Sequence, residues 1–118
     1  MHNFKELSVW QKARELTKNV YVLTQKFPDH EKYAITSQIH RSCISIASNI
    51  AEWSGRSHTK EFVQFLYIAN WSAFELETQI ILAHDLNYIN QKMLEDISKQ
   101  IREVEKMIYW LIKHHQSS

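Results

Sequence analysis

The sequence predicts an all-α protein, an antiparallel up-down-up-down four-helix bundle that forms one domain over residues 1–118. The 118-residue chain contains one Gly and one Pro, too few to supply the chain breakers that separate the strands of a β-sandwich or barrel. Hydrophobic residues make up 44% and charged residues 23% of the chain, which is typical of folded proteins rather than disordered ones. Apolar residues recur in steps of three and four through four segments, the spacing that places them on one face of a helix.

The first helix is predicted over residues 8–27. Its apolar seam, in alternating steps of four and three, consists of Val9, Ala13, Leu16, Val20, Leu23 and Phe27. Ser8 followed three residues later by Gln11 has the pattern of a capping box at a helix start. Pro28 then ends the helix, because a proline inside a helix removes a hydrogen bond and clashes with the preceding turn.

The second helix is predicted over residues 36–54, and its start is the least certain boundary in the sequence. Its apolar seam consists of Ile39, Cys43, Ile46, Ile50 and Trp53. Gly55 suits the end of the helix because it tolerates the left-handed conformation. Either Asp29 or Thr36 could cap the start, so residues 29–35 form either a short turn of helix or a separate 3₁₀ segment.

The third and fourth helices are predicted over residues 58–86 and 91–114. Ser57 or Thr59 begins the third helix and Asn90 caps the fourth. Their apolar seams are Phe62, Leu66, Ala69, Ala73, Leu76, Ile80 and Ala83, then Leu94, Ile97, Ile101, Val104, Ile108 and Leu111. The polar tail from His114 onward is expected to fray. Short connections between four such helices favour antiparallel neighbours.

The charge of the chain is balanced overall but unevenly distributed. Fourteen Lys and Arg residues against thirteen Asp and Glu residues give a formal net charge of +1, which does not by itself indicate a nucleic-acid-binding protein. Residues 1–27 carry five bases and two acids, whereas residues 58–90 carry one base and four acids. We therefore expect a charge dipole rather than a uniformly basic surface.

The sequence is expected to belong to a cytoplasmic protein. A single cysteine, Cys43, excludes an intramolecular disulfide and fits a reducing compartment. The segment Met1–Lys5 has no apolar run of the signal-peptide type. No apolar run approaches the roughly 18 residues of a membrane-spanning helix, so no contact with a membrane is expected.

Residue patterns of catalytic and metal sites are missing from the sequence. Di-metal sites in four-helix bundles use Glu-x-x-His motifs, and no Glu of this chain is followed by His three residues later. The reverse order occurs once, at His58 and Glu61, near a predicted helix start where solvated capping is the simpler interpretation. Cys43 lies on an apolar seam, where a thiol acts as a small hydrophobe. We expect no enzymatic activity, no metal and no cofactor.

The third helix has a second apolar face. At about 100° per residue, the side chains of Tyr67, Trp71, Phe74 and Leu82 point away from the seam that begins at Phe62. An apolar patch rich in aromatic residues is typical of an oligomer interface, and the alternative is that other parts of the same chain cover it. We expect self-association through this face.

Two groups of polar residues are candidates for contacts with nucleic acid. On the second helix a polar stripe opposite the seam consists of Arg41, Ser45, Ser48, Asn49, Glu52 and Arg56. The first helix region carries five bases, Lys5, Lys12, Arg14, Lys18 and Lys26. Both groups have a simple interpretation as solvated surface, with lysine stems lying over the edge of the core. The alternative interpretation is contact with phosphate groups or, for the stripe, with a partner subunit.

Several motifs together resemble a known family. In chain order they are Phe4-x-x-Leu7-x-Val9-Trp10-Gln11-Lys12-Ala13, Phe27-Pro28, Glu31-x-Tyr33, Ser37-Gln38-Ile39, Asn49-Ile50-Ala51-Glu52, Gly55-Arg56, Glu61-Phe62-x-x-Phe65-Leu66-x-Ile68-Ala69 and Glu75-Leu76-Glu77. They are similar to the 23S rRNA intervening-sequence protein family, also called S23-type or four helix bundle proteins. Two positions depart from the family pattern: His40 stands where a second base is usual, and Trp53 where a Gly is usual.

The resemblance implies a small bacterial bundle protein, encoded in some relatives within insertions in large-subunit ribosomal RNA genes, that assembles as a ring-like homopentamer. Similar bundles bind nucleic acid as accessory proteins of diversity-generating retroelements. On this basis we predict a non-enzymatic scaffold associated with RNA or DNA, with phosphate contacts from Lys12, Arg14, Lys18, Arg41 and Arg56. The alternative is a protein-interaction module or accessory subunit whose basic edge binds an acidic protein and which does not itself bind nucleic acid.

Overall fold

The computed structural model describes residues 3–56 and 63–116. Within these ranges the chain is all-helical and has no strand. Four α-helices are present, α1 (Ser8–Thr24), α2 (Ile35–Gly55), α3 (Val63–Asp85) and α4 (Gln91–Gln116), with 3₁₀ turns at Phe4–Glu6 and Asp29–Glu31. The prediction of an all-α protein is confirmed.

The four helices pack side by side in an elongated molecule of 45 × 23 × 21 Å. α1 and α3 each pack against both α2 and α4. Hydrogen bonds join Ser42 to Gln79 and Ser45 to Ser72 between α2 and α3. Between α1 and α4, Asn19 Nδ2 donates to Gln100 Oε1 over 2.8 Å.

The core is built from the apolar seams that the sequence predicts. Every seam position of α2 is buried, as are those of α3 from Leu66 to Ala83. Leu23, Leu94 and Leu111 are half-buried and pack against the edge of this core. Because the buried side chains of all four helices form one cluster, the loss of one of them is felt by its neighbours on other helices.

The start and end of α1 differ from the prediction. Leu7, not Ser8, is the N-terminal cap and makes no side-chain capping bond, and Gln11 Nε2 donates instead to the Lys5 carbonyl over 2.9 Å. The predicted capping box is therefore wrong, because the 3₁₀ turn before α1 offers Gln11 a carbonyl. The helix also ends at Thr24 rather than residue 27, although Phe27 still reaches the core.

The start of α2 resolves the alternatives that the sequence left open. Asp29–Glu31 is a separate 3₁₀ turn, and α2 begins at Ile35 after Ala34 without a side-chain cap. Thr36 lies inside the first turn of α2, so neither proposed residue caps this helix. The reason is tertiary: the Tyr88 hydroxyl donates to Glu31 Oε2 over 2.6 Å and holds the 3₁₀ turn in place.

The structure agrees with the prediction at the start of α4 and differs from it at the end. Asn90 Oδ1 accepts a hydrogen bond from the Met93 backbone N–H over 2.8 Å, which confirms the predicted cap. The expected fraying from His114 is wrong, since α4 continues to Gln116. His115 contacts the Trp53 ring edge-on at 5.1 Å and so packs the end of α4 against α2.

The connection between α3 and α4 is a helix C-terminal motif centred on Asn87. Asn87 has a φ of 66°, the left-handed conformation that Asn tolerates better than most residues. Its N–H donates to the His84 carbonyl and that of Tyr88 to the Ala83 carbonyl, each over 2.9 Å, as in a Schellman motif. The predicted start of the third helix at residue 58, with Ser57, Thr59 and Phe62, lies outside the described residues.

Replacing Asn90 by Ala is expected to destabilise the protein by about 1 kcal/mol, because the Met93 N–H loses its capping partner. Urea denaturation followed by far-ultraviolet circular dichroism measures the change. Asn90→Asp is the matched control, since it keeps an acceptor at the cap position and should stay close to wild type. Equal loss in both variants would contradict a capping role for Asn90.

Candidate functional site

The five residues predicted to contact phosphate lie on four separate parts of the molecule. Lys12, Arg14 and Lys18 are on α1, Arg41 lies in a groove between α2 and α3, and Arg56 follows the end of α2. All five side chains are exposed. The structure therefore brings together Arg14 and Lys18 but places Lys12 at the α1–α4 edge, and it does not join these bases to Arg41 or Arg56 within one protomer.

The bases of α1 are arranged around aromatic and acidic neighbours. The Arg14 guanidinium lies 5.6 Å from the centre of the Trp10 ring, a cation–π contact. Lys12 Nζ lies 3.1 Å from Glu103 Oε1 on α4, and Lys18 Nζ lies 4.0 Å from Glu15 Oε2. Exposed ion pairs of this kind contribute little and exchange readily, so these lysines remain available to a stronger anion.

Arg41 stands at the rim of a polar groove between α2 and α3 with a volume of about 410 Å³. Gln38, Ser42, Ser45, Ser72, Glu75 and Gln79 line the rest of it. The serines hold the two helices together, since Ser42 Oγ donates to Gln79 Oε1 over 3.1 Å and the Ser45 and Ser72 hydroxyls lie 2.7 Å apart. Part of the polar stripe of α2 thus serves helix packing rather than solvation.

Arg56, the base at the C-terminal end of α2, is paired with the carboxylate of Glu52 on α2. The Arg56 guanidinium donates from Nε to Glu52 Oε1 over 2.9 Å, and its Nη2 approaches the same oxygen. It also lies 5.1 Å from the centre of the Phe65 ring on α3. A phosphate at this position would have to compete with the Glu52 carboxylate.

His40 is part of the α1–α2 contact. Its ring stacks on Tyr21 with 3.8 Å between centroids, and its Nε2 lies 2.8 Å from Thr24 Oγ1. Burial lowers the pKa of His40 below its usual value. The side chain is therefore mainly uncharged at neutral pH and adds no positive charge for a phosphate.

The outward face of α3 has the apolar surface that the sequence predicts. Trp71, Phe74 and Leu82 are 58%, 49% and 47% exposed. Tyr67 is half-buried and packs against the core, so it contributes less to this surface than predicted. Sequence reasoning missed Ile81, which is 45% exposed and lies seven residues after Phe74, a helical spacing that could have identified it.

A second apolar surface was not predicted. Residues at the start of α1 and near the end of α4 form a groove of about 460 Å³, lined by Leu7, Ser8, Val9, Lys106, Met107, Trp110 and Leu111. Trp110 is 61% exposed and stacks on His114 with 5.0 Å between ring centroids. No periodicity within one helix reveals this groove, because it forms only where two distant segments meet.

The described residues offer little that resembles an active site. Burial raises the pKa of the Cys43 thiol to about 12, so the thiol stays protonated at neutral pH. Nowhere in residues 3–56 and 63–116 do three His, Cys, Asp or Glu side chains gather as a metal site would require. In the same ranges, none of the helices has the length and hydropathy to span a membrane.

Comparison with known proteins places the chain in a family. The family model described as 23S rRNA-intervening sequence protein matches residues 5–110. The chain belongs to this family. A crystal structure described as a protein of unknown function from the S23 ribosomal protein family of Bacteroides thetaiotaomicron is 28% identical, with a TM-score of 0.81. The match covers 89% of this chain and 98% of that chain. Comparison with curated proteins gives no significant match.

The chain also contains a carboxyl pair between α3 and α4. The pKa of Glu105 is raised to about 8, mainly by burial. A hydrogen bond to the Glu77 side chain and the negative charge of Glu77 also raise this pKa, whereas the positive charge of Arg102 lowers it. Arg102 Nη1 lies 3.9 Å from Glu77 Oε2. At neutral pH the Glu105 carboxyl is therefore mainly protonated.

The free energy of unfolding is expected to fall as the pH rises from about 4.5 to about 8, because there the folded protein holds the Glu105 proton and the unfolded chain releases it. Glu105→Gln should remove this contribution and make the protein more stable than wild type above pH 8, since the amide donates to Glu77 at every pH. Urea denaturation at pH 5, 7 and 9 measures the change.

The exposed Glu95→Gln is the control for this measurement and should keep the wild-type pH dependence. If Glu105→Gln also keeps it, Glu105 does not hold the proton in the folded protein.

Proposed function

We propose that this protein is a non-enzymatic, cytoplasmic scaffold, a homo-oligomeric ring of five antiparallel up-down-up-down bundles that associates with nucleic acid. The observation that carries the proposal is the exposed apolar face of α3. A single protomer leaves this face in contact with water, whereas an assembly buries it. Different observations support each part of this proposal: the antiparallel topology, the self-association, the binding of nucleic acid and the non-enzymatic role.

The paired residues support antiparallel neighbours. Along α2 the numbers rise from 42 to 45, while their hydrogen-bonded partners on α3 fall from 79 to 72. Between α1 and α4, Lys12 pairs with Glu103 and Asn19 with Gln100. Residue numbers that rise along α1 therefore again pair with residue numbers that fall along α4. Short connections between consecutive helices fit the same topology.

Self-association is supported by the chemistry of the exposed side chains. Trp71 and Phe74 belong to the residue types enriched in protein interfaces, and Leu82 extends the same outward side of α3. Large apolar side chains grouped on one exposed face are uncommon in monomers and mark interaction sites. We infer that a second copy of the chain covers them, and the five-fold ring is the assembly that the family resemblance implies.

Association with nucleic acid is supported by family membership and by the exposed bases. Arg14 and Lys18 lie on one side of α1, Lys12 lies on another side beside Glu103 of α4, and Arg41 and Arg56 belong to α2 and its end. A ring would repeat each base in every protomer, so that groups separated in one copy recur around a shared surface. Such a surface would bind the phosphate backbone without regard to sequence.

A non-enzymatic role is supported by how the polar groups are used. The hydroxyls of Ser42 and Ser45 bond to α3 rather than to a base that could activate them. The Cys43 thiol is buried inside the core, away from any substrate. Four polar side chains of the α2–α3 groove, Ser42, Ser45, Ser72 and Gln79, thus hold the two helices together.

A protein-interaction module or accessory subunit that does not bind nucleic acid is the second candidate. One observation favours it: Lys12, Lys18 and Arg56 already face carboxylates of this chain, so an acidic protein segment could replace those partners. Capture of partners from a nuclease-treated lysate separates the two candidates. A protein partner survives the nuclease, and a partner bridged by RNA does not.

Wild-type protein is expected to have a solution mass near five times 14.1 kDa by size exclusion with light scattering. Trp71→Glu should reduce it to that of a monomer, because a carboxylate in an apolar interface is costly to bury. The control is Val22→Glu, which places the same charge on an exposed apolar position of α1 and should leave the mass unchanged. A monomeric wild-type protein would contradict the proposed homo-oligomeric scaffold.

Binding to a labelled single-stranded RNA of random sequence is expected to weaken as salt rises, because phosphate contacts release counterions. The double variant Arg14→Gln/Arg41→Gln should lower the slope of log K against log salt by about 1 per residue. Fluorescence anisotropy at several salt concentrations measures the slope. Lys32→Gln, outside the predicted set, should keep the wild-type slope. Binding that is absent or independent of salt would contradict direct contact with phosphate.

A further inference from the structure

Two apolar surfaces of this protomer differ in shape. The α3 ridge consists of the exposed side chains of Trp71, Phe74, Ile81 and Leu82, which project from a single helix. The α1–α4 groove, by contrast, is a depression of about 460 Å³ between two segments, and its walls are almost entirely apolar. One surface is convex and the other is concave, so the two surfaces are complementary in shape.

The two surfaces lie on different sides of the protomer. α3 packs against α2 and α4, and its ridge points away from both. The groove opens instead where the start of α1 meets the end of α4, at Val9 and Met107. One copy therefore cannot bury its own ridge in its own groove, but it can offer the ridge to one neighbour and the groove to another.

The charges around the two surfaces are opposite. Along residues 63–85, α3 carries three acids and no Lys or Arg. Asp85 follows Leu82 of the ridge by three residues, whereas Glu75 lines the α2–α3 groove and Glu77 lies beside Arg102 of α4. The groove is bordered by Lys106, and Lys113 lies two turns further along α4. Opposite charges around an apolar contact fix its orientation and disfavour the pairing of like with like. A ridge facing another ridge would bring acidic helices together, whereas a ridge in a groove brings acids to bases.

We propose that the α3 ridge of one copy docks into the α1–α4 groove of the next, so that the contact between copies is heterologous. The inference rests on the proposed homo-oligomer and specifies how its copies meet. A heterologous contact leaves each added copy with one unused surface until a ring closes. It produces a ring where the rotation between copies closes and an open filament where it does not, whereas a ridge packed on a ridge produces a two-fold dimer.

The test uses one variant for each surface. Trp71→Glu charges the ridge and Trp110→Glu charges the groove, and both side chains are more than half exposed in the protomer, so the fold should tolerate them. Circular dichroism and cooperative urea unfolding like those of wild type verify this for each variant. Val22→Glu is again the matched control and should assemble like wild type.

Each variant alone is expected to be a monomer, because each lacks one of the two surfaces that every contact needs. Mixed in equal amounts, they should form a heterodimer of twice 14.1 kDa and nothing larger. In that heterodimer the intact ridge of Trp110→Glu occupies the intact groove of Trp71→Glu. Native mass spectrometry with one variant isotopically labelled identifies it, at concentrations well above those that assemble the wild type.

Two outcomes would overturn the inference while leaving the homo-oligomer in place. If Trp110→Glu assembles like wild type, the groove is not part of the contact. If both variants are monomers and their mixture contains no heterodimer, the ridge and the groove are not partners. A wild type that is itself monomeric would instead refute the proposed oligomer, so the two failures are distinguishable.

Discussion

A helix in a bundle of four can bury only one side within the protomer, and α3 carries apolar residues on two. Its inner seam, which includes Leu66, Leu76 and Ile80, is buried in the core. Its outer side keeps Trp71 and Phe74 half exposed. The other three helices cannot cover that outer side without leaving the core that they build together. The exposed face is therefore a consequence of the bundle itself, and the proposed assembly follows from it.

The same constraint explains why polar residues lie where they do. Where α2 meets α3, serine and glutamine side chains bond across the contact, so Ser45 serves packing even though it belongs to the polar stripe of the sequence. Between α1 and α4, Lys12 and Glu103 pair at the surface beside the hydrogen bond of Asn19 to Gln100. A polar position on a bundle helix thus has one of two roles, contact at a helix–helix seam or exposure to solvent.

The distribution of bases bears on nucleic-acid binding. His40 is tied to Tyr21 and Thr24 and is mainly neutral, so it adds no positive charge at the α1–α2 contact. Arg14 and Arg41 lie on different helices. In the proposed assembly, copies placed side by side would join such separate bases into a continuous basic surface. In this protein the questions of oligomeric state and of nucleic-acid binding are linked by geometry.

The sequence alone was sufficient to predict the helices, the seams and the family, because each rests on local spacing. Apolar residues three and four apart predicted the buried positions of α2 and α3, and Asn90 identified the start of α4. One error is local, since Gln11 bonds to the Lys5 carbonyl instead of closing a capping box, and the other differences lie where distant residues meet. Tyr88 holds the 3₁₀ turn at Glu31, and Trp53 packs against His115 where fraying was expected.

For the same reason, the sequence predicted one of the candidate surfaces and missed the other. The outer face of α3 was predicted because Trp71, Phe74 and Leu82 share one helix and a fixed angular spacing. The groove beside Trp110, the pairing of Lys12 with Glu103 and the protonated Glu105 were not, since each depends on residues that are far apart in the chain. Periodicity determines which face of a helix is apolar, but only the packing of helices decides which side chains from different helices become neighbours. That packing sets their distances, burial and charge.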